Sequence, residues 1–176
     1  MHIGINLLFI LASWKWGNWS RWRHYHATML YVAICDLLYL FLTANHQLWS
    51  YVPEPFLKHY ALTEALYALV MLPATVLIFL SRLPAKPLKQ AGHCLLWVGI
   101  LFTIECVLLS TGRFRHLNGW SLYWSLGFDL VMFPMLILHY KKPLLAYLVS
   151  AAIVVYLLWQ FEIPSGLPIE ARPVSR

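Results

Sequence analysis

Residues 118–143 read NGWSLYWSLGFDLVMFPMLILHYKKP. This stretch is long enough to cross a lipid bilayer as one helix, because about 20 apolar residues at about 1.5 Å each span roughly 30 Å. Asp129 lies in the middle of the run, and Asn118, Ser121 and Ser125 precede it at spacings of three or four residues. These spacings place the four side chains on one helix face. The pattern therefore predicts a membrane helix whose polar face meets a polar interior.

The composition is that of a small polytopic membrane protein. The chain has 176 residues, of which 61% are hydrophobic and only 11% charged, and its mean hydropathy is +0.65. These values exclude an ordinary soluble domain. The apolar runs do not alternate with period two, so helices are predicted and a β-barrel is not. We expect one all-α domain over residues 1–163, followed by a polar, mobile tail over residues 164–176.

The apolar runs predict a bundle of six transmembrane helices, or five helices plus a short re-entrant helix at the N-terminus. The first run, residues 3–14, is only about a dozen residues long, so both alternatives stay open. The other five spans are predicted at residues 27–44, 56–80, 94–111, 118–143 and 144–161. Pro73 and Pro134 interrupt two of them and predict bends, because proline removes a backbone hydrogen bond.

Lysine and arginine residues orient the bundle. The net charge is +6, yet the 13 basic residues lie almost wholly between apolar runs, which is typical of membrane topology and predicts no nucleic-acid partner. Eight of them fall in alternate loops, which the positive-inside rule places in the cytoplasm, with the C-terminus outside. These eight are Lys15, Arg21, Arg23, Arg82, Lys86, Lys89, Lys141 and Lys142. Residues 14–26 add four tryptophans, which indicates an interfacial anchor or a headgroup or ligand site.

Four of the seven acids lie inside predicted spans, namely Asp36, Glu64, Glu105 and Asp129. Each costs about 2.5–3.5 kcal/mol at a helix centre, whereas a dozen large apolar side chains return about 4–7 kcal/mol. Each span can therefore insert with one acid, which then faces protein or water and not lipid. We expect the four acids to share one cavity that deepens from the outer face. Crowded carboxylates in a desolvated site bind protons and cations, so the expected ligand is a proton or a small cationic solute.

Aromatic and polar neighbours complete the predicted site. Those within or near the acid-bearing spans are Tyr39, Tyr60, Tyr67, Trp124 and Ser125. The aromatic rings among them offer faces for an organic cation. The predicted outer rim consists of His59, Arg113, Arg115, His116 and Asn118. A structural alternative stays open, in which the acids pair with basic rim residues or hydrogen-bond across helices. No metal and no cofactor are expected, and the histidines at span ends are predicted to be solvated or to contact headgroups.

Enzyme signatures are mostly missing, because the sequence contains no HExxH, no GxSxG and no glycine-rich phosphate loop. A transporter or channel is therefore the favoured interpretation. A lipid-acting enzyme at the outer leaflet that uses Glu105, His116 and Asn118 stays open, as does a sensor or assembly subunit of a membrane complex. The expected partners are the lipid bilayer and either a second copy of the chain or another membrane subunit.

Several short motifs resemble those of one family. They are Trp16-Gly17-Asn18-Trp19, Leu38-Tyr39, Pro73-Ala74-Thr75, Asn118-Gly119-Trp120 and Tyr140-Lys141-Lys142-Pro143. The set is similar to that of a family of small, functionally uncharacterised multi-span proteins from spore-forming Gram-positive bacteria. The resemblance covers most of the chain through the sixth span. It implies a multi-pass protein of the bacterial plasma membrane and brings no catalytic residue with it.

Overall fold

The structure, a computed structural model, describes residues 1–54, 60–164 and 166–172. Helices make up most of this part of the chain. They are α1 (His2–Trp16), α2 (Trp22–Leu42), α3 (Tyr60–Leu66), α4 (Leu72–Ser81), α5 (Pro87–Ser110), α6 (Leu122–Lys141) and α7 (Pro143–Gln160). A π-helical segment, Tyr67–Met71, joins α3 to α4 without a break. The predicted all-helical fold is confirmed.

Five helices are long and apolar enough to cross a membrane. They cover Trp19–Leu42, Ala61–Ser81, Pro87–Ser110, Leu122–Lys141 and Pro143–Gln160. Each corresponds to one of the spans predicted after the first, with its ends shifted by several residues. These helices are compatible with a multi-pass membrane protein.

Helix α1 lies alongside the helix that contains the π segment and runs parallel to it. At its start, the His2 ring contacts Tyr67 and Val52. Just beyond its end, the backbone N–H of Asn18 donates to Ser81 Oγ at 2.9 Å. The 15 residues of α1 rise by about 22 Å. Helix α1 therefore runs alongside the neighbouring helix from Tyr67 to Ser81, and it is not among the helices long enough to count as candidate spans.

The bundle has two chemically different ends. At one end, strand β1 (Trp49–Tyr51) pairs antiparallel with strand β2 (Phe114–His116), with Ser50 opposite Arg115. This two-stranded ladder ties the α2–α3 connection to the α5–α6 connection, and we call this the ladder end. The opposite end carries the eight basic residues assigned above to alternate loops, and we call it the basic end.

The centre of the bundle is built around α4. Every residue from Ala74 to Leu80 is buried, and the ring of Phe79 lies 5.0 Å from that of Phe133 on α6. By contrast, Ala146 is the one buried residue of α7, and the apolar surface of that helix is left for lipid. The core therefore fixes the inner helices relative to one another, and their fixed positions hold the polar side chains of the cavity in place.

The start of α6 differs from the prediction. Asn118 and Gly119 adopt positive φ angles of 48° and 83°, and the N–H of Trp120 donates to Leu117 O at 2.9 Å. This turn ends the connection from β2, so α6 begins only at Leu122. Asn118 therefore lies in the turn before the helix, whereas Ser121 is the N-cap residue of α6, and its carbonyl accepts the N–H of Ser125 at 3.0 Å. The predicted four-residue polar face is wrong for Asn118.

The two prolines in the spans also have different surroundings. Pro73 is the second residue of α4, and Leu72 alone separates it from the π segment. Proline has no backbone N–H to donate, and the wider π turn lies just before the position where this donor is lost. Pro134 lies inside α6, which continues past it to Lys141.

The predicted tail lies against the ladder end. Arg172 Nη1 donates to Leu42 O at 2.7 Å, and Asn45 Nδ2 donates to Ile169 O at 2.9 Å. Residues 166–172 are therefore docked on the end of α2, although the sequence predicts a mobile tail. Residues 173–176 of that tail lie outside the described residues.

Candidate functional site

A cavity of about 130 Å³ lies below the ladder, between α2, the π segment, α5 and α6. We call it the acid cavity, because three of the four predicted acids line it, namely Asp36, Glu105 and Asp129. Its aromatic walls are Trp49, Tyr51, Tyr67, Phe114, Trp120 and Phe128. A water molecule needs roughly 10–15 Å³ of such space. The cavity is thus large enough for several waters or for a small cation with part of its hydration shell.

Glu105 is held by a chain of hydrogen bonds that crosses three elements. Its Oε1 accepts from Ser125 Oγ at 2.5 Å and lies 2.7 Å from His116 Nε2. Ser125 Oγ in turn accepts from Trp120 Nε1 at 2.8 Å. Because the partners come from α6 and β2, the Glu105 carboxylate is fixed relative to both the bundle and the ladder. Of the three acids in the cavity, Glu105 is the one with side-chain partners.

Asp36 and Asp129 are in a different situation. Among the described residues, no group donates a hydrogen bond to either carboxyl group, and neither forms an ion pair. Asp129 is 9% exposed and faces the same cavity as Asp36, which is half-buried. A charged carboxylate without a donor or counter-ion is costly in such a site, above all for the more buried Asp129. Either group can therefore take up a proton or a cation from the cavity.

Glu64 lies next to the cavity and does not line it. The side chain is 1% exposed, and its Oε1 accepts from the backbone N–H of Tyr51 at 3.4 Å. The Tyr51 ring stacks on that of Tyr67 at 4.0 Å, and both rings belong to the cavity wall. The Glu64 carboxylate nevertheless lies within electrostatic range of Asp36. The four acids are therefore neighbours, with three at the cavity and one behind its wall.

Tyr51, which lies in the ladder and outside the spans, stays a neutral hydroxyl. Burial raises the pKa of the Tyr51 phenol well above its usual range, and the nearby phenol of Tyr67 and carboxylate of Glu64 raise it further. The neutral Tyr51 phenol adds a polar group to the cavity wall and no negative charge beside the three carboxyl groups of the cavity.

Of the other predicted wall residues, Tyr67 and Ser125 line the cavity, whereas Tyr39 supports it from behind. The Tyr39 ring stacks on Trp49 at 3.8 Å, and its hydroxyl accepts the backbone N–H of Trp49 at 3.0 Å. Trp124 packs on Phe161, 5.0 Å between ring centroids, away from the cavity. The side chain of Tyr60 and all of His59 lie outside the described part of the chain.

The predicted rim residues have mostly structural contacts. His116 contacts Glu105 as described above, whereas Asn118 Nδ2 donates to Gln47 O at 2.7 Å. The Arg113 carbonyl accepts the N–H of Val52 at 2.9 Å, and Arg115 is exposed on β2. In the described residues, the contact of a predicted acid with a predicted rim side chain is thus seen for Glu105 and His116 alone.

His2 was missed by the sequence analysis. Its side chain is fully buried, with Nδ1 3.0 Å from Tyr67 Oη and Nε2 3.0 Å from Val52 O. Burial lowers the pKa of His2 below its usual value, and the nearby terminal amino group and Arg113 lower it further. The available signal was the helical spacing of His2, Asn6 and Ser13, all of which are buried. His2 thus braces Tyr67 at the cavity wall.

His139 also differs from the prediction, which placed it among headgroups or solvent. It is 2% exposed, its ring stacks on Tyr31 at 4.1 Å, and its Nδ1 lies 3.0 Å from Thr28 Oγ1. The close contact of α2, α6 and α7 at this depth buries it. His139 forms a second polar cluster, separate from the acid cavity.

In the described residues, no group of three or more His, Cys, Asp and Glu side chains is arranged to hold a metal ion. No protein-family profile, curated protein or solved structure matches this chain.

Proposed function

We propose that this protein binds a proton or a small cation in the acid cavity and moves it across the membrane. The observation that carries the proposal is the pair Asp36 and Asp129, which face one cavity without a hydrogen-bond donor among the described residues. Two carboxylates in this situation bind a cation or share protons, because each alternative leaves charge uncompensated in a desolvated site.

The walls favour a small monovalent or organic cation. Trp49, Tyr51 and Trp120 present aromatic faces, and such faces attract ammonium groups by about 0.5–2 kcal/mol each. A volume of about 130 Å³ suits a proton carried by water, an alkali ion with part of its hydration shell, or a small amine.

The charged loops give the expected orientation of the protein in the membrane. The positive-inside rule puts the basic end in the cytoplasm and the ladder end outside. The acid cavity then lies nearer the outer face, in the plasma membrane of a bacterium, as the family resemblance implies. The π segment beside the cavity and Pro134 on α6 are the two interruptions around which the cavity opens toward the basic end.

The test is a flux measurement on purified protein in proteoliposomes. A pH-sensitive dye is trapped inside, a membrane potential is imposed, and the internal pH is followed with and without external ammonium or alkali ions. We expect a flux that Asp36→Asn and Asp129→Asn each reduce at least tenfold. Glu162→Gln is the matched control, because it removes one carboxylate from an exposed position at the ladder end.

A folded, monodisperse wild type without flux of any tested ion would contradict the proposal. Equal loss of flux in Glu162→Gln would contradict the role of the acid cavity and indicate a general effect of surface charge.

One observation supports a second candidate function. Ser125 Oγ, Glu105 Oε1 and His116 Nε2 form a continuous hydrogen-bonded set near the ladder end. A hydroxyl beside a carboxylate and an imidazole could act as a nucleophile in acyl or headgroup transfer. The substrate of such an enzyme would be a lipid of the outer leaflet. Incubation with labelled phospholipid separates the two functions. Turnover that Ser125→Ala abolishes would favour the enzyme, and unchanged lipid would exclude it.

A further inference from the structure

An open pocket of about 600 Å³ lies at the basic end, where the turn after α1 meets the end of α4. We call it the basic pocket. Lys15 and Arg82 contribute its cations, Trp16 and Trp19 its rings, and Ser20 a hydroxyl. It is separate from the acid cavity and shares no residue with it.

The floor of the basic pocket is fixed by close packing. A side chain at Gly17 would place its Cβ 2.4 Å from Ser13 O and 3.1 Å from Leu77 Cδ2, so only glycine fits there. The N–H of Asn18 donates to Ser81 Oγ at 2.9 Å, which ties the turn to the end of α4. The pocket is therefore a built feature of the contact between two helix ends and not a gap between mobile loops.

The cations of the basic pocket have unused donors. Arg82 Nε donates to Trp16 O at 3.3 Å, and within the described residues its two Nη groups make no hydrogen bond. Lys15 Nζ lies 5.4 Å from the centroid of the Trp16 ring and forms no ion pair with a described acid. An anion entering the pocket would thus meet a guanidinium edge and an ammonium group, which is the donor set that binds phosphate.

No acid of this protein is placed to neutralise these cations. The seven acids are Asp36, Glu54, Glu64, Glu105, Asp129, Glu162 and Glu170. The segments that form the basic end, residues 14–26, 81–93 and 139–143, contain none of them. Among the described residues, no acid side chain pairs with the cations of the basic pocket, and an anion bound there would supply their counter-ion.

We infer that the basic pocket binds a phosphate-bearing anion, and that this anion is the headgroup of an anionic phospholipid. The choice of a lipid rests on the position at the end of the membrane spans and on the exposed rings of Trp16 and Trp19 at its edge. Tryptophan rings settle at the level of lipid headgroups, and basic pockets between helices at the cytoplasmic face hold anionic headgroups. A soluble phosphate would use the same two cations but would gain nothing from the rings.

The test compares lipids and variants in detergent. The midpoint of thermal unfolding is measured with added dioleoyl-phosphatidylglycerol, with dioleoyl-phosphatidylcholine, and with inorganic phosphate. We expect the wild type to gain several degrees with phosphatidylglycerol and less than one degree with either of the others. The double variant Lys15→Gln/Arg82→Gln should lose this gain. The matched control is Arg23→Gln/Lys89→Gln, which removes the same two charges from exposed positions at the same end and should keep it.

Native mass spectrometry of the wild type gives a readout that does not depend on the variants. We expect one phosphatidylglycerol molecule to stay bound at collision energies that strip phosphatidylcholine. Equal loss of the gain in both double variants would overturn the inference, because charge at the basic end would then act without a pocket. An equal gain with inorganic phosphate would overturn the lipid assignment and leave a site for a soluble anion.

Discussion

The two ends of this bundle use the same residue types in opposite ways. At the ladder end, Trp120 is 6% exposed and donates its indole N–H to Ser125, while at the basic end Trp14 is 76% exposed. Arg172 at the ladder end is buried against Leu42 O, whereas Arg82 at the basic end is exposed. The two ends differ in how far other segments of the chain bury these side chains. The ladder and the docked tail cover the polar groups of one end, whereas the tryptophan and the arginine at the other end stay exposed.

This difference has a consequence for function. The closed end keeps its acids in a cavity, so a small ligand must come to them through the protein. The open end presents its cations at the surface, so a headgroup can reach them without any opening. In the proposed function the first end would select a small ion, and in the further proposal the second end would bind a lipid headgroup.

The largest expected effect is the difference in unfolding free energy between variants of the buried Trp120 and the exposed Trp14. Trp120→Ala should lower the free energy of unfolding by about 3–5 kcal/mol, because it empties a packed site and leaves Ser125 without its donor. Trp14→Ala should change it by less than about 0.5 kcal/mol. Far-ultraviolet circular dichroism during denaturation in mixed micelles measures both. Similar losses in the two variants would refute the contrast between the ends.

The next effect concerns the floor of the basic pocket. Gly17→Ala should lower the free energy of unfolding by about 1–3 kcal/mol, since the new Cβ collides with Ser13 O. Gly92→Ala is the control, because nothing lies within 4 Å of its added Cβ and alanine favours a helix interior by about 1 kcal/mol. The same denaturation experiment applies. If Gly17→Ala were as stable as the wild type, the backbone at the floor of the basic pocket would have room for a Cβ beside Ser13 O.

The docked tail gives a smaller effect. Arg172→Gln removes the donor to Leu42 O and should cost about 1 kcal/mol of unfolding free energy. Arg115→Gln removes an exposed cation at the same end and should cost almost nothing. Hydrogen exchange of the backbone amides in residues 166–171 should also become faster in Arg172→Gln alone. Unchanged exchange there would show that other contacts hold the tail.

The smallest expected effect is a pH dependence at the ladder end. Because burial lowers the pKa of His2, the unfolded chain binds more protons than the folded one as pH falls through about 6.5. This residue should therefore destabilise the fold on acidification, and its contribution should be constant above that pH. Unfolding midpoints at pH 7.5 and 5.5 should differ less in His2→Asn than in the wild type. His24→Asn, at an exposed position of the basic end, should behave like the wild type.

The sequence was sufficient to predict the spans, since runs of about 18 or more mostly apolar residues leave few alternatives. It was also sufficient to single out the four acids, because ionisable groups within spans are rare and costly. That Asp36, Glu105 and Asp129 line one cavity, with Glu64 behind it, depends on the rotation of four helices. The spacing of polar residues within one helix does not determine how that helix is rotated against its neighbours.

The ladder could not be predicted. Trp49–Tyr51 and Phe114–His116 are three residues each and lie about 65 positions apart, so no local pattern marks their pairing. The cavity walls Trp49 and Tyr51 were missed for the same reason, because only the ladder brings them over the helices. The burial of His2 and His139 likewise depends on neighbouring helices and not on local sequence.

The π segment Tyr67–Met71 gives one helix two phases. A π turn accommodates one residue more than an α turn, so the helix faces before and after it are offset by about 100°. After the π segment, the helix buries Val76, Leu77 and Phe79 in the core. Before it, Glu64 faces the backbone N–H of Tyr51 and accepts a hydrogen bond from it. Deleting a single residue of this segment would restore a regular helix and keep its core register. It would also rotate Glu64 away from Tyr51, and so separate the acid from the ladder without changing any side chain of the cavity.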